Sequence, residues 1–263
     1  MNNKSPLRYP GGKTRACKVL DGVLDEHFDL SSFTHIASPF FGGGSFEFFL
    51  QNKYQKPLVV NDKFLPLINF WTQCQTNKER LCTELKANLE TTKDDFKRYR
   101  EAIMTAEPFT QALYYFIINR CSFSGATLSG GFSKLASQKR FTQSSIDRVN
   151  NLDLSQVEFH NEDFTTFIET THGDNTLTFL DPPYYLEKKS KLYGKNGDMH
   201  VGFDHEGLHK TLSNKTNWIM TYNNCDYIKK LYKDYKIVNV CWSYGMNKSK
   251  DSSEIVIIAT TPL

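Results

Sequence analysis

Thr176-Leu177-Thr178-Phe179-Leu180-Asp181-Pro182-Pro183-Tyr184-Tyr185 is a short apolar run of strand character that ends in an acid, two prolines and an aromatic pair. Proline lacks the N–H that a central ladder needs, so the strand stops at Asp181. The stiff turn that follows lets the Asp181 carboxylate and the Pro182 carbonyl face one side with no donor competing for them. Two acceptors beside the Tyr184 ring suit a flat nucleobase with an exocyclic amine: the acceptors take its N–H bonds and the ring stacks on its face. The amine of adenine is a poor nucleophile, its lone pair being delocalised into the ring, and two acceptors draw it toward a reactive geometry. An Asp-Pro-Pro turn also serves as plain loop punctuation. The rest of the chain has to decide.

Upstream, Thr34–Ser38 reads as a short strand, Pro39-Phe40-Phe41-Gly42-Gly43-Gly44-Ser45 as a glycine-rich turn, and the following residues as a helix. In an open α/β sheet this first strand-to-helix turn is where a nucleotide-like ligand lies, because glycine lets the backbone approach it closely. Twenty residues after Gly42, the apolar Leu58-Val59-Val60-Asn61 run ends in Asp62, an acid placed to take ribose hydroxyls. The pair is much stronger than either part. Nearer the start, Arg8-Tyr9-Pro10-Gly11-Gly12-Lys13 opens onto a helix expected over Thr14–Phe28. Phosphate-loop spacing is absent; a carboxylate-bearing ligand beside Tyr9 and Lys13 fits better.

Residues 63–153 change character. Helices are expected over Leu65–Cys74, Lys78–Leu89, Asp94–Thr105 and Thr110–Ile118, without obvious strands. Thirteen lysines and arginines stand against nine acids here, the excess falling mostly from Arg120 onward, around the polar loop Asn119–Phe132 and the basic Lys134, Lys139 and Arg140. Cations for phosphates, small polar groups for base edges and an aromatic for wedging are what a nucleic-acid reading loop requires. A solvated loop on a helical subdomain is the alternative. Beyond it, Val157–Phe164 reads as a strand ending in acids and an aromatic. Trp218–Tyr222 is a strand, Tyr227–Tyr232 a helix, and Ile237–Trp242 with Glu254–Ala259 a closing antiparallel pair. The Lys- and Gly-rich Glu187–His200 is long enough for a flap. This alternation implies a doubly wound α/β sheet.

Six well-separated cysteines without Cys-x-x-Cys spacing argue against a metal site and for reduced thiols. No secretory leader and no apolar run long enough for a membrane span are apparent. A net charge of +3 fits a soluble protein and by itself proves no nucleic-acid partner.

Taken in order, Tyr9-Pro-Gly-Gly-Lys13, Pro39-Phe40-x-Gly42-x-Gly44-Ser45, Asn61-Asp62, Asn119-Arg120, Glu162-Asp163 and Asp181-Pro-Pro-Tyr184 resemble the Dam family (alpha group) of site-specific DNA adenine-N6 methyltransferases over nearly the full chain. The resemblance implies a Rossmann-like, S-adenosylmethionine-dependent methyltransferase fold: a doubly wound sheet with an antiparallel edge strand, built from residues 1–62 and 154–263, with a mainly helical DNA-recognition insert at 63–153. By position it implies that Tyr9, Pro10 and Lys13 contact the methionine end of the cofactor and that Pro39, Phe40, Gly42, Gly44 and Ser45 lie along it. Asp62 then holds the ribose, and Asp163 and Phe164 bracket the adenine. Asp181, Pro182, Pro183 and Tyr184 form the catalytic turn, with Asp181 also touching the cofactor. Arg8, Arg120, Ser122, Phe123, Ser124, Leu128, Lys139 and Arg140 are the expected DNA contacts. Many relatives carry an acid where Ser38 stands, so the contact made there is open.

Leu128 stands where relatives that methylate GATC use an arginine, and it offers only apolar contact, for example to a thymine methyl. The expected target is therefore a short adenine-containing palindrome other than GATC, with CATG the first candidate. A cytosine-N4 methyltransferase, which more often has Ser at the Asp181 position, an RNA or protein methyltransferase, which more often has Asn there, and a non-catalytic DNA-binding protein remain the competing readings. The expected state is a monomer or weak dimer without metal, in the cytoplasm or wherever a viral host keeps its DNA, beside a possible separate restriction endonuclease.

Overall fold

A computed structural model describes residues 2–185, 202–243 and 251–260. The flap expected at Glu187–His200 lies outside the described residues. In chain order, α1 (Cys17–His27) leads into β1 (His35–Ser38), α2 (Ser45–Tyr54) and β2 (Leu58–Asn61). Six helices follow: α3 (Leu65–Thr76), α4 (Lys78–Ala87), α5 (Lys93–Ala102), α6 (Pro108–Cys121), α7 (Lys134–Arg140) and α8 (Gln143–Asn150). The α/β alternation then resumes with β3 (Val157–His160), α9 (Phe164–Thr171), β4 (Thr176–Leu180), α10 (His205–Leu212), β5 (Trp218–Asn223), α11 (Asp226–Leu231), β6 (Lys236–Ser243) and β7 (Asp251–Ala259).

The strands form one seven-stranded sheet in the order β3-β2-β1-β4-β5-β7-β6. β1 pairs in parallel with both β2 and β4, so the strand order reverses between β1 and β4. Ligands of open α/β sheets bind at such a switch point. β7 runs antiparallel to β5 on one side and β6 on the other. The expected antiparallel pair is there, with one correction: the antiparallel strand lies one place in from the edge, because β7 folds back into the gap beside β5 and leaves the edge to β6.

Side chains alternate across the sheet with the period of two that strands impose. Ile36, Leu177, Phe179, Ile219, Val256 and Ile258 enter one core, with α1, α2 and the helical stretch. Ala37, Leu180, Met220, Ile255 and Ile257 enter the other, with Phe167 of α9, Leu208 and Leu212 of α10 and Ile228 of α11. All of β4 is buried, as expected of a central parallel strand covered on both faces.

Helices α3 to α6 and α8 share the first of these cores, so the stretch that stands apart in sequence is continuous in space with the sheet. Trp71 of α3 is the joint: its indole N–H donates to the Gly42 carbonyl at 3.1 Å and its ring packs on Phe41, Phe48 and Phe159. α6 passes through the middle of the helical group and packs against α3, α4, α5 and α7. The two helices that periodicity did not mark, α7 and α8, start at side-chain caps. Ser133 accepts from the Ala136 amide at 3.1 Å, and Thr142 and Ser145 form a reciprocal box.

Candidate active site

At the switch point, a cavity of about 600 Å³ opens between the C-terminal ends of β1, β2 and β4. All the expected cofactor residues line it: Tyr9, Pro10, Lys13, Pro39, Phe40, Gly42, Gly44, Ser45, Asp62, Asp163, Phe164 and Asp181. Pro182, Pro183 and Tyr184 line it too. The residues expected on DNA, Arg8 and the set from Arg120 to Arg140, do not.

The glycine turn shows why no other residue serves. Gly42 and Gly44 have φ of +49° and +65°, the left-handed region that L side chains rarely adopt. A Cβ on Gly42 would lie 2.8 Å from the Tyr9 ring, and one on Gly44 2.5 Å from the Phe41 ring. Asp62 locks the turn: its Oδ2 accepts the Gly42 N–H and its Oδ1 the Phe64 N–H, both at 2.9 Å. Burial raises its carboxyl to about 6 against those two hydrogen bonds, which pull it down.

At one end of the cavity, Phe40, Phe164 and Phe203 pack as a trio with centroids 5.4 to 5.7 Å apart. Asp163 caps α9 through the Thr165 amide at 3.1 Å and meets Lys63 at 3.0 Å. That pair is exposed and adds little stability. At the other end, Lys13 is buried, with its Nζ 2.6 Å from Asp181 Oδ2 and 2.9 Å from the Gly11 carbonyl. Thr221 of β5 donates to Asp181 Oδ1 at 2.6 Å. Tyr184 has its hydroxyl hydrogen-bonded to buried Glu254 of β7, and its ring lies under Lys13 at 5.2 Å.

Below the glycine turn sits a second buried acid, Glu47, in the first turn of α2. Ser38 at the end of β1 donates to its Oε1 at 2.8 Å. Burial is the largest cause lifting this carboxyl to about 8. Sequence reasoning did not single out Glu47, Phe203, Thr221 or Glu254. The signals were slight: an acid between Phe46 and Phe48, another opening the apolar run of β7, and a threonine inside apolar β5. Among the described residues no cluster of three or more His, Cys, Asp or Glu could hold a metal. No helix among them is long and apolar enough to cross a membrane.

The loop after α6 is tightly built. Ser124, Gly125 and Thr127 have φ of +55°, +72° and +47°. Such conformations in non-glycine residues persist only where the surroundings over-determine them. A Ser122–Phe132 bridge pins the base of the loop, and Arg100 donates to the Gly130 carbonyl at 3.1 Å. Asn119, fully buried, accepts the Arg8 N–H at 2.9 Å and donates to the Arg8 carbonyl at 2.8 Å, stapling the N-terminal loop to this one.

Three residues expected on DNA turn inward. Arg120 is buried and donates to the carbonyls of Arg140 and Pro6. Desolvation, reinforced by the neighbouring Arg8, Arg148 and Arg140, lowers its guanidinium to about 10. Ser122 is buried, receiving the Thr127 amide at 3.2 Å, and Leu128 is buried in the first core. Their side chains build the loop from inside, so Leu128 does not present the apolar contact expected of it. Phe123 is the opposite, 69% exposed, and Lys139 and Arg140 also face solvent.

A parallel sheet with its glycine cradle at the switch point, one inserted antiparallel strand and an Asp-Pro-Pro-Tyr turn define a Rossmann-like methyltransferase. The profile of the D12 class N6 adenine-specific DNA methyltransferases matches residues 9–246, and the chain belongs to that family. It is also 23% identical over 271 residues, covering 91% of both chains, to the Type II methyltransferase M.MjaIII of Methanocaldococcus jannaschii. As a member of that family the chain is an adenine-specific DNA methyltransferase, and its substrate is DNA.

Proposed function

We propose that the cavity takes S-adenosylmethionine and that the Asp181–Tyr184 turn receives an adenine flipped out of a short palindromic duplex site. The observation that carries this reading is the convergence of Asp62, the Gly42–Gly44 cradle and Asp181 on one cavity, although they come from three different strand ends. A nucleoside fits the end with Asp62 and the phenylalanine trio. An amino-acid tail fits the end with Lys13 and the start of α2, where a cation and a helix N-terminus both favour a carboxylate.

The cofactor supplies a methyl group on a sulfonium, already a reactive donor. The protein's contribution is alignment. Thr221 and Lys13 fix the plane of the Asp181 carboxylate by holding one oxygen each. A carboxylate has about four lone-pair sites, so Asp181 retains capacity for an N–H of the target amine, with the Pro182 carbonyl taking the other. Tyr184, anchored through Glu254, offers its ring to the base. Extrusion from the duplex costs a few kcal/mol, and exposed Phe123 is placed to fill the gap.

Residues 63–153 are proposed as the recognition unit, with Arg8, Lys139 and Arg140 on phosphates and the Phe123–Ser124 tip toward bases. Where GATC-reading relatives have an arginine, Leu128 is turned inward, so guanine is not read from that position and the expected site remains a palindrome other than GATC, CATG first. A monomer or weak dimer acting beside a separate endonuclease, in the compartment that holds the DNA, completes the reading. Expression in a methylation-free host and single-molecule sequencing of its DNA tests it: methylated adenine confined to one short palindrome supports the reading, and methylation at GATC alone overturns the role given to position 128. Phe123→Ala should lower turnover on duplex DNA and spare cofactor affinity.

A further inference from the structure

We propose that Glu47 is the subsite for the α-ammonium group of the cofactor's amino-acid end, a cation-binding position carried on α2 and oriented by Ser38. The inference rests on the cofactor reading above and adds a residue to it.

Glu47 is 3% exposed, yet it lines the cavity at the end where Lys13, Ser45 and Asp181 also lie. Its Oε1 is held by the Ser38 hydroxyl, and it forms no ion pair among the described residues. Lys13 is the near cation, but its ammonium is engaged with Asp181 and the Gly11 carbonyl. An acid in that situation is costly to keep ionised. The charged and titratable groups facing it are Lys13 from the N-terminal loop, Cys17 from α1 and Asp181 from the end of β4. Cys17 is itself pushed up to about 12 and stays a neutral thiol. With burial holding the Glu47 carboxyl near 8, the site is mostly protonated at neutral pH and gains a strong reason to ionise when a ligand brings its own positive charge. A ligand carboxylate beside Lys13 and the α2 N-terminus then leaves the ammonium of the same tail to Glu47. Binding releases the Glu47 proton to solvent, and no bond is made or broken.

The test compares S-adenosylhomocysteine with its analogue lacking the amino group, by calorimetry on the full chain. Glu47→Gln should weaken S-adenosylhomocysteine by roughly tenfold to a hundredfold, the range for losing one hydrogen bond to a charged group, while leaving the desamino analogue unaffected. Titrations of the wild type near pH 7 in buffers of different ionisation enthalpy should show proton release with S-adenosylhomocysteine and none with the analogue. Ser38→Ala, which leaves the acid in place but unoriented, should give a smaller loss of the same selectivity and stands in should Glu47→Gln fold poorly. Equal losses for both ligands, or none, overturn the assignment and leave Glu47 a structural acid. Failure of the wild type to bind either ligand overturns the cofactor reading itself, and this inference with it.

Discussion

Lys13 Nζ stands 2.6 Å from Asp181 Oδ2, joining the N-terminal loop to the Asp-Pro-Pro-Tyr turn. Because Lys13 is buried, removing its partner strands a charge, which costs about 3–5 kcal/mol in such pairs. Asp181→Ala should therefore melt earlier than wild type. On the folded fraction, methyl transfer should fall by ~10²-fold or more, since alignment is what the turn is proposed to supply. DNA binding, measured by fluorescence anisotropy, should persist. Near wild-type transfer would remove Asp181 from the acceptor pair.

Asp62 holds two backbone amides and faces the cavity. Losing a hydrogen bond to a charged group costs about 1.5–3 kcal/mol, so Asp62→Ala should weaken S-adenosylmethionine by roughly tenfold to a hundredfold. Calorimetry giving the wild-type affinity would take Asp62 out of the site.

Arg120 and Arg140 should respond differently to alanine. Arg120→Ala orphans the Pro6 and Arg140 carbonyls and should cost at least about 1.5–3 kcal/mol of stability, read in denaturant unfolding. Arg140→Ala leaves its own carbonyl in place for Arg120. It should spare stability, weaken DNA binding across sequences and lower the salt slope by about 1. The reverse pattern would put Arg120 on DNA.

Glu47 makes stability depend on pH. The unfolded chain releases this proton near 4.5, whereas the folded protein keeps it to about 8, so folding takes up a proton between those values. Stability of the ligand-free protein should thus decline as pH rises through that window. Asp62, raised to about 6 from 3.8, adds to the decline at its lower end. Melting curves from pH 5 to 8 should show it, and Glu47→Gln should flatten the upper part. An unchanged pH profile in that variant would mean that Glu47 ionises normally in the fold.

The elements readable in the sequence are those where backbone chemistry acts locally. Proline ends β4 at Leu180, just before Asp181, because it has no N–H to give, and Gly42 and Gly44 adopt φ that other residues avoid. Asp62 was marked by an apolar strand running into an acid. What escaped depends on pairing across long separations. The insertion of β7 between β5 and β6 cannot be seen in either strand alone, and the contacts of Ser38 with Glu47 and of Thr221 with Asp181 exist only once sheet and helices are stacked. Inside the loop, polarity does not tell which way a side chain faces: Arg120 and Ser122 are buried, whereas positive φ at Ser124 and Thr127 shapes a loop that leaves Phe123 exposed and Ser124 half-buried.

Asn119 gives both edges of its amide to the main chain of Arg8. Gly125 closes the other side, where a Cβ would come within 2.5 Å of the Arg8 carbonyl. The loop therefore cannot be exchanged as a module. A chimera that imports the 119–132 segment from another enzyme to change its target must import a matching residue 8 backbone as well, and that backbone continues directly into Tyr9 and Lys13. With this loop proposed as the reader of the target, engineering a new specificity means transplanting two segments 111 residues apart as one part.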